Sequence, residues 1–155
     1  LETFTKTADP LFDDEVRNAQ RMKLIGKREM KRMNTASSNS PKLVREKTNY
    51  AYLHPEDAAR IGVANGELVE VESQHGRIDI PVRISDEMMP CTLAIPQCWG
   101  HKDAKGLTHA AQHAGVNSNF LAGDGRENVE VLSGMSHLSG SAVDVRRSEA
   151  NLPSA

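Results

Sequence analysis

Two short runs of alternating residues, joined by a tight turn, constrain this chain more than any other feature. In "ELVEVES", Glu67–Ser73, Val69 and Val71 fall on one face, and Glu70 and Glu72 on the other. In "RIDIPVRI", Arg77–Ile84, the same period of two returns through Ile78, Ile80, Val82 and Ile84. Alternation of this kind marks a strand with one face in a core and the other in water. Gln74-His75-Gly76 lies between the runs, so they read as a hairpin. Pro81 cannot donate to a ladder and predicts an edge or a bulge in the second strand.

The rest of the chain is punctuated on the same scale. "HPEDAARIG" reads as a short helix. Pro55 suits its first position, where no N–H is needed. Glu56 and Asp57 favour the positive start and Arg60 the negative end. Gly62 supplies a left-handed stop, and "ANG" a turn. "CTLAIP", ended by Pro96, is a further strand, "SAVDVRR" the last, and Met22–Ile25 the first. About five or six short strands and one or two short helices favour a mainly β fold, a barrel with small helical inserts, over a layered α/β arrangement. Residues 1–22 form a lead-in, either extended or a short helix around Asp13–Arg21. Residues 148–155 form a flexible tail, and 23–147 the barrel.

The 155 residues are enough for one domain with its own core. The net charge of -2 and the 4 % aromatic content argue against a nucleic-acid binder. Apolar runs are too short for direct membrane insertion, and no signal peptide is in view. Cys91 and Cys98, the only cysteines, do not make a disulfide framework, which sets a reduced, cytoplasmic expectation. The chain opens on Leu1 rather than Met, the expectation for a piece of a longer chain.

The informative segments are loops. "LIGKREMKRMNTASSNSPKL", Leu24–Leu43, sets Lys27, Arg28, Lys31 and Arg32 ahead of a ribbon of small polar residues that includes Asn34 and Thr35. The cations suit phosphates; a solvated strand end is the plainer reading. "PQCWGHKDAKG", Pro96–Gly106, contains Gln97 and the only tryptophan, Trp99. Two readings of Trp99 stay open: a ring capping the core with its N–H bonded, or a stacking surface for a flat heterocycle. In "GVNSNFL", Gly115–Leu121, Asn117 and Asn119 lie two apart, which in an extended segment turns both carboxamides to one face. Turn formation by asparagine is the alternative. "SGMSHLSGS", Ser133–Ser141, is a fourth polar loop. Together the loops predict one edge of a polar cleft.

These residues carry a resemblance. "LIGKREMKRMN", "HPEDAARIGVANGELVEVES", "PVRISDEMMP", "IPQCWGH", "GVNSNFL" and "SGMSHLSGSAVDV" occur in this order over Leu24–Arg146. The chain resembles the C-terminal dinucleotide-binding domain of the dimethyl sulfoxide reductase superfamily of molybdopterin oxidoreductases, and is most similar to its formate dehydrogenase-like members. The resemblance implies a double-psi β-barrel. It implies a bis(molybdopterin guanine dinucleotide) cofactor carrying molybdenum or tungsten, shared with the remaining catalytic domains of a parent enzyme. Carried over, Gly26, Lys27, Arg28 and Arg32 with Asn34 and Thr35 meet phosphate and pterin groups. Gln97, Trp99, Gly100 and His101, with Asn117 and Asn119, close over one cofactor arm, and His137 lies in the matching late loop. Related sequences carry Trp-Met-His where Ala36, Ser37 and Ser38 stand, and Arg where Lys27 stands, which removes a bidentate fork. The family's metal-ligating and iron–sulfur residues belong to earlier domains, so no catalytic or metal-binding residue is expected here.

Other readings are a natural small subunit of such an enzyme and a non-catalytic barrel that recruits partners. A metal site from Cys91, Cys98 and His101 is a third, although that spacing misses the CxxC knuckle of structural zinc. A Cys98 nucleophile with His101 or His109 is a fourth.

Overall fold

The structure is a computed structural model that describes residues 2–130, 133–136 and 139–151; the side chains of residues 2–4, 7 and 151 lie outside the description. Its centre is a closed barrel of six strands: β1 (Met22–Lys27), β2 (Ala51–Leu53), β3 (Leu68–Glu72), β4 (Arg77–Ile84), β5 (Thr92–Pro96) and β6 (Ser141–Arg147). The order around the barrel is β1-β5-β2-β4-β3-β6. β1 runs parallel to β5 and β2 parallel to β4, and the other neighbours are antiparallel.

The alternating pattern closes this barrel. Val69 and Val71 of β3, and Ile78, Ile80 and Val82 of β4, point inward and are buried. Leu53, Leu93, Ile95, Leu121 and Val143 join them in one continuous core. Each such side chain contributes about 1.5–3 kcal/mol by leaving water. The outward residues of β3 pair with β6 instead: Arg146 meets Glu70 and Glu72, and Arg147 meets Glu67, just before β3.

Pro81 does not mark an edge, because a closed barrel has none. It lies where β4 changes partners. The antiparallel ladder with β3 ends at the Leu68–Pro81 pair, and the parallel ladder with β2 starts at Ala51–Val82. β2, only three residues long, carries too little alternation to be read in advance.

Three α-helices are described, where one or two were expected. α2 (Pro55–Ile61) has the expected ends: Pro55 in the first turn, His54 accepting from the Glu56 N–H, and Gly62 at φ 77°. α3 (Thr108–Gln112) is a single short turn of helix. α1 (Glu2–Arg17) starts earlier and runs longer than the short helix considered for the lead-in, with Pro10 inside it. Its Glu15 reaches Lys23 of β1 at 2.6 Å, while Leu11, Phe12 and Val16 stay exposed. At the other end, Ser148 is buried and Glu149–Asn151 form a 3-10 turn; the rest of the expected tail lies outside the described residues.

Candidate functional site

The parallel pairing of β1 and β5 builds the site. Parallel strands end side by side, so Lys27 pairs with Pro96, and the loops that leave them start as neighbours. The Gln97 N–H donates to the Lys27 carbonyl at 3.1 Å and ties the two loops together. The late loop reaches the same end, where Ser139 Oγ accepts from the Gly26 N–H at 3.3 Å.

The largest opening there is a cleft of about 420 Å³. It is lined by Lys27, Arg28, Lys31, Arg32, Lys42 and Arg45, against two carboxylates, Glu29 and Glu46. Met30, Leu43, Val44 and Trp99 complete its walls. Among the described residues, no ion pair holds Arg28, Lys31, Lys42 or Arg45. Lys27 lies over the Tyr52 ring at 4.3 Å. Arg83 covers Tyr50 at 4.0 Å and approaches Glu46 at 3.9 Å. Burial works against the Arg83 charge, but Tyr52, Glu46 and Tyr50 outweigh it and hold its pKa above the ordinary guanidinium value.

A narrow crevice lined by Arg28, Glu29, Arg32, Asn34, Gln97 and Cys98 adjoins the cleft. Gln97 also lines a third opening of about 50 Å³, with Gly26, Ser118 and Asn119. Shared residues thus connect the three openings along one end of the barrel.

Trp99 is buried, and its Nε1–H donates to Glu29 Oε2 at 3.0 Å. The Arg32 guanidinium lies over its ring at 4.1 Å. Gly115 stands close enough that an added Cβ would come within 2.4 Å of the ring. The ring therefore serves as a packed wall, with Arg32 already stacked on it.

The remaining expected residues fall into two groups. Asn34 (φ 50°) and Gln97 line the crevice, and Gly26 and Asn119 the small opening. Thr35, Gly100, His101 and Asn117 line none of the three openings. Thr35 accepts from the Ser38 N–H through its carbonyl. Gly100 (φ 101°) donates to the Ala114 carbonyl and sits so close to Asn117 that a Cβ would come within 2.4 Å of the Asn117 Cβ. His101 Nε2 meets the Cys98 carbonyl at 3.1 Å. His137 lies outside the described residues.

Asn117 is itself extended, but the chain turns directly after it. Asn117 caps a 3-10 turn, Ser118–Leu121, and its Oδ1 accepts from the Asn119 N–H at 3.0 Å. The two carboxamides therefore do not form a matched pair on one face; the capping tendency of asparagine prevails over the alternation argument. Cys91 and Cys98 flank β5 at its opposite ends, so the Cys91–Cys98–His101 spacing does not converge. Among the described residues, no group of three or more His, Cys, Asp or Glu is arranged to hold a metal ion. No described helix is long and apolar enough to cross a membrane.

Sequence reasoning missed four residues that build the site. Lys42 and Arg45 form its second cationic wall. Their signal was present, a further basic cluster in "KLVREK" ten residues after Arg32. Ser38 is buried and accepts from Arg32 Nη2 at 2.9 Å. Asn49, 1 % exposed, donates to the Pro96 and Val116 carbonyls and accepts from the Val116 N–H. It clamps the end of β5 to the Gly115–Leu121 loop, and nothing local announces that role. α3 anchors the first loop from behind: Ala110 N–H donates to Asn39 Oδ1, and His109 Nε2 meets the Val44 carbonyl at 2.8 Å.

Comparison with known proteins agrees with this architecture. The family model described as "Molydopterin dinucleotide binding domain" matches residues 22–132. Among solved structures, acetylene hydratase from Pelobacter acetylenicus superposes with a TM-score of 0.70 at 21% identity, over 88% of this chain. The chain spans 19% of that protein's length. A search of curated proteins found no match. By the extent of the family match, over most of the barrel, this chain belongs to the molybdopterin dinucleotide binding domain family.

Proposed function

We propose that the cation-lined end of the barrel holds the phosphates and the pterin or guanine edges of a bis(molybdopterin guanine dinucleotide) cofactor. In this reading the chain works as one cofactor-binding part of a larger molybdenum or tungsten oxidoreductase of the formate dehydrogenase-like kind. The observation that carries it is the cleft itself: six cations against two carboxylates, four of the cations without an ion pair among the described residues. Phosphates are anions with several acceptor oxygens, and charge-assisted bonds from Arg and Lys are the strong ones.

The residues fit such a group. Arg32 Nε is a buried donor with no partner, which marks an unfilled bonding site on the wall between cleft and crevice. Arg28, Lys31, Lys42 and Arg45 would neutralise phosphate charge, and Gln97, Asn34 and Asn119 would offer amide groups to ring edges. When bound, the dithiolene-held metal supplies the redox chemistry; this chain orients the cofactor and screens its charge. The two parallel strand pairs, β1 with β5 and β2 with β4, support a double-psi connection. In this reading the functional unit is the barrel, 23–147, together with Met22, where β1 begins.

GDP, standing in for the nucleotide half, tests the reading by calorimetry. The chain should bind it, and the double variant Lys42→Glu/Arg45→Glu should weaken binding by roughly tenfold, about 1.4 kcal/mol. Equal affinity in chain and variant would overturn the assignment of this cleft.

A further inference from the structure

Glu29 occupies the position in the cleft that an incoming anion would need. Its Oε2 accepts from Trp99 Nε1 at 3.0 Å and from Arg32 Nη1 at 3.3 Å. Both donors are well buried: Trp99 is 5 % exposed, and the Arg32 side chain 6 %. Glu29 and Arg32 stand at the two ends of one turn, closed by the Arg32 N–H on the Glu29 carbonyl at 3.1 Å. Ser38 fixes the far side of the guanidinium.

The arrangement is incomplete. A guanidinium presents five N–H donors in a planar fork suited to bidentate oxyanions. Here the fork gives Nη2 to a hydroxyl and Nη1 to a rather distant carboxylate, and Nε has no partner although it is buried. A buried donor left unpaired is costly, so the contact is a poor resting state that a better acceptor can replace.

We infer that Glu29 is a displaceable internal anion: it latches Arg32 and Trp99 in the cleft and is exchanged for a phosphate group when ligand binds. This rests on the reading that the cleft receives phosphates, and adds to it how the site is held before they arrive. The latch lowers affinity, because each phosphate must first break the carboxylate contacts. It also keeps a buried guanidinium from standing uncompensated.

Trp99 is the only tryptophan and touches the latch directly, so its emission reports it. The probe is inorganic pyrophosphate, titrated at low salt into the chain, Glu29→Gln and Glu46→Gln. Glu46 lines the same cleft and meets Arg83 at 3.9 Å but neither Arg32 nor Trp99, so its variant removes a cleft carboxylate without touching the latch. The expected result has three parts. Pyrophosphate shifts Trp99 emission in the unaltered chain. Ligand-free Glu29→Gln already emits like that bound state. It also binds pyrophosphate about fivefold more tightly than Glu46→Gln does. If Glu29→Gln does not fold, Glu29→Asp, too short to reach both donors, should show the same changes in smaller measure. Equal binding by all the variants, with Trp99 emission unmoved, overturns the latch and leaves the phosphate reading standing. No binding by any of them overturns both.

Discussion

Asn49 supports the site through backbone groups rather than by lining the cleft. Its buried carboxamide makes three bonds to backbone groups, one at the end of β5 and two in the Gly115–Leu121 loop. Asn49→Ala would leave two carbonyls and one N–H unpaired, and should cost about 2–3 kcal/mol of stability in urea unfolding. Gly100→Ala meets two obstacles at once, a left-handed φ and the Asn117 Cβ. It should destabilise by about 1–3 kcal/mol and displace the 97–101 loop, visible as amide shifts at Asn117. At this scale the sequence was legible in chemistry but not in direction. The cations of Lys27–Arg32 were recognisable as a group. That Arg32 turns inward onto Trp99 and pairs with Glu29 depends on contacts between loops, and no local pattern encodes it. The two open readings of Trp99 are separated by its surroundings: the ring is buried against Gly115, its N–H is bonded to Glu29, and Arg32 already covers its face.

The elements divide by how much of their pattern is local. β3, β4 and β6 were readable because each is half-buried, and a period of two is the direct record of that. β5 is buried on both faces over most of its length, and a short apolar run with Pro96 at its end still marked it. β2 and α3, at three and five residues, are too short for any period to register. At Ser118–Leu121 alternation and capping compete for the same asparagines, and of the two readings left open capping prevails. Asn117→Ala tests the cap: it should lose about 0.5–2 kcal/mol of stability, and GDP affinity should fall far less than with the Lys42/Arg45 reversal. A larger loss of affinity than of stability would return Asn117 to the binding surface.

Across the molecule, the closed barrel leaves no strand edge to protect among the described residues. Its charge is nearly balanced in sum but not in space. A net charge of -2 coexists with a cleft of six cations and two carboxylates, because most of the acidic residues lie outside that cleft. Composition alone hides that asymmetry, and the topology that brings the ends of β1 and β5 together reveals it. Binding at such a site should weaken with salt, since exposed charges are screened over about 8 Å at physiological ionic strength. A specific site keeps part of its affinity, because bonds to buried Arg32 and the loop amides are screened less.

The most direct test of the central claim is a heteronuclear NMR titration of the chain with GDP, repeated at raised salt. The account predicts shifts clustered at Lys27–Asn39, Lys42–Arg45, Gln97–His101 and Asn117–Asn119, with those at Arg32, Trp99 and Gln97 persisting in salt. Shifts spread over surface lysines and abolished by salt, or centred on another face of the barrel, would contradict it.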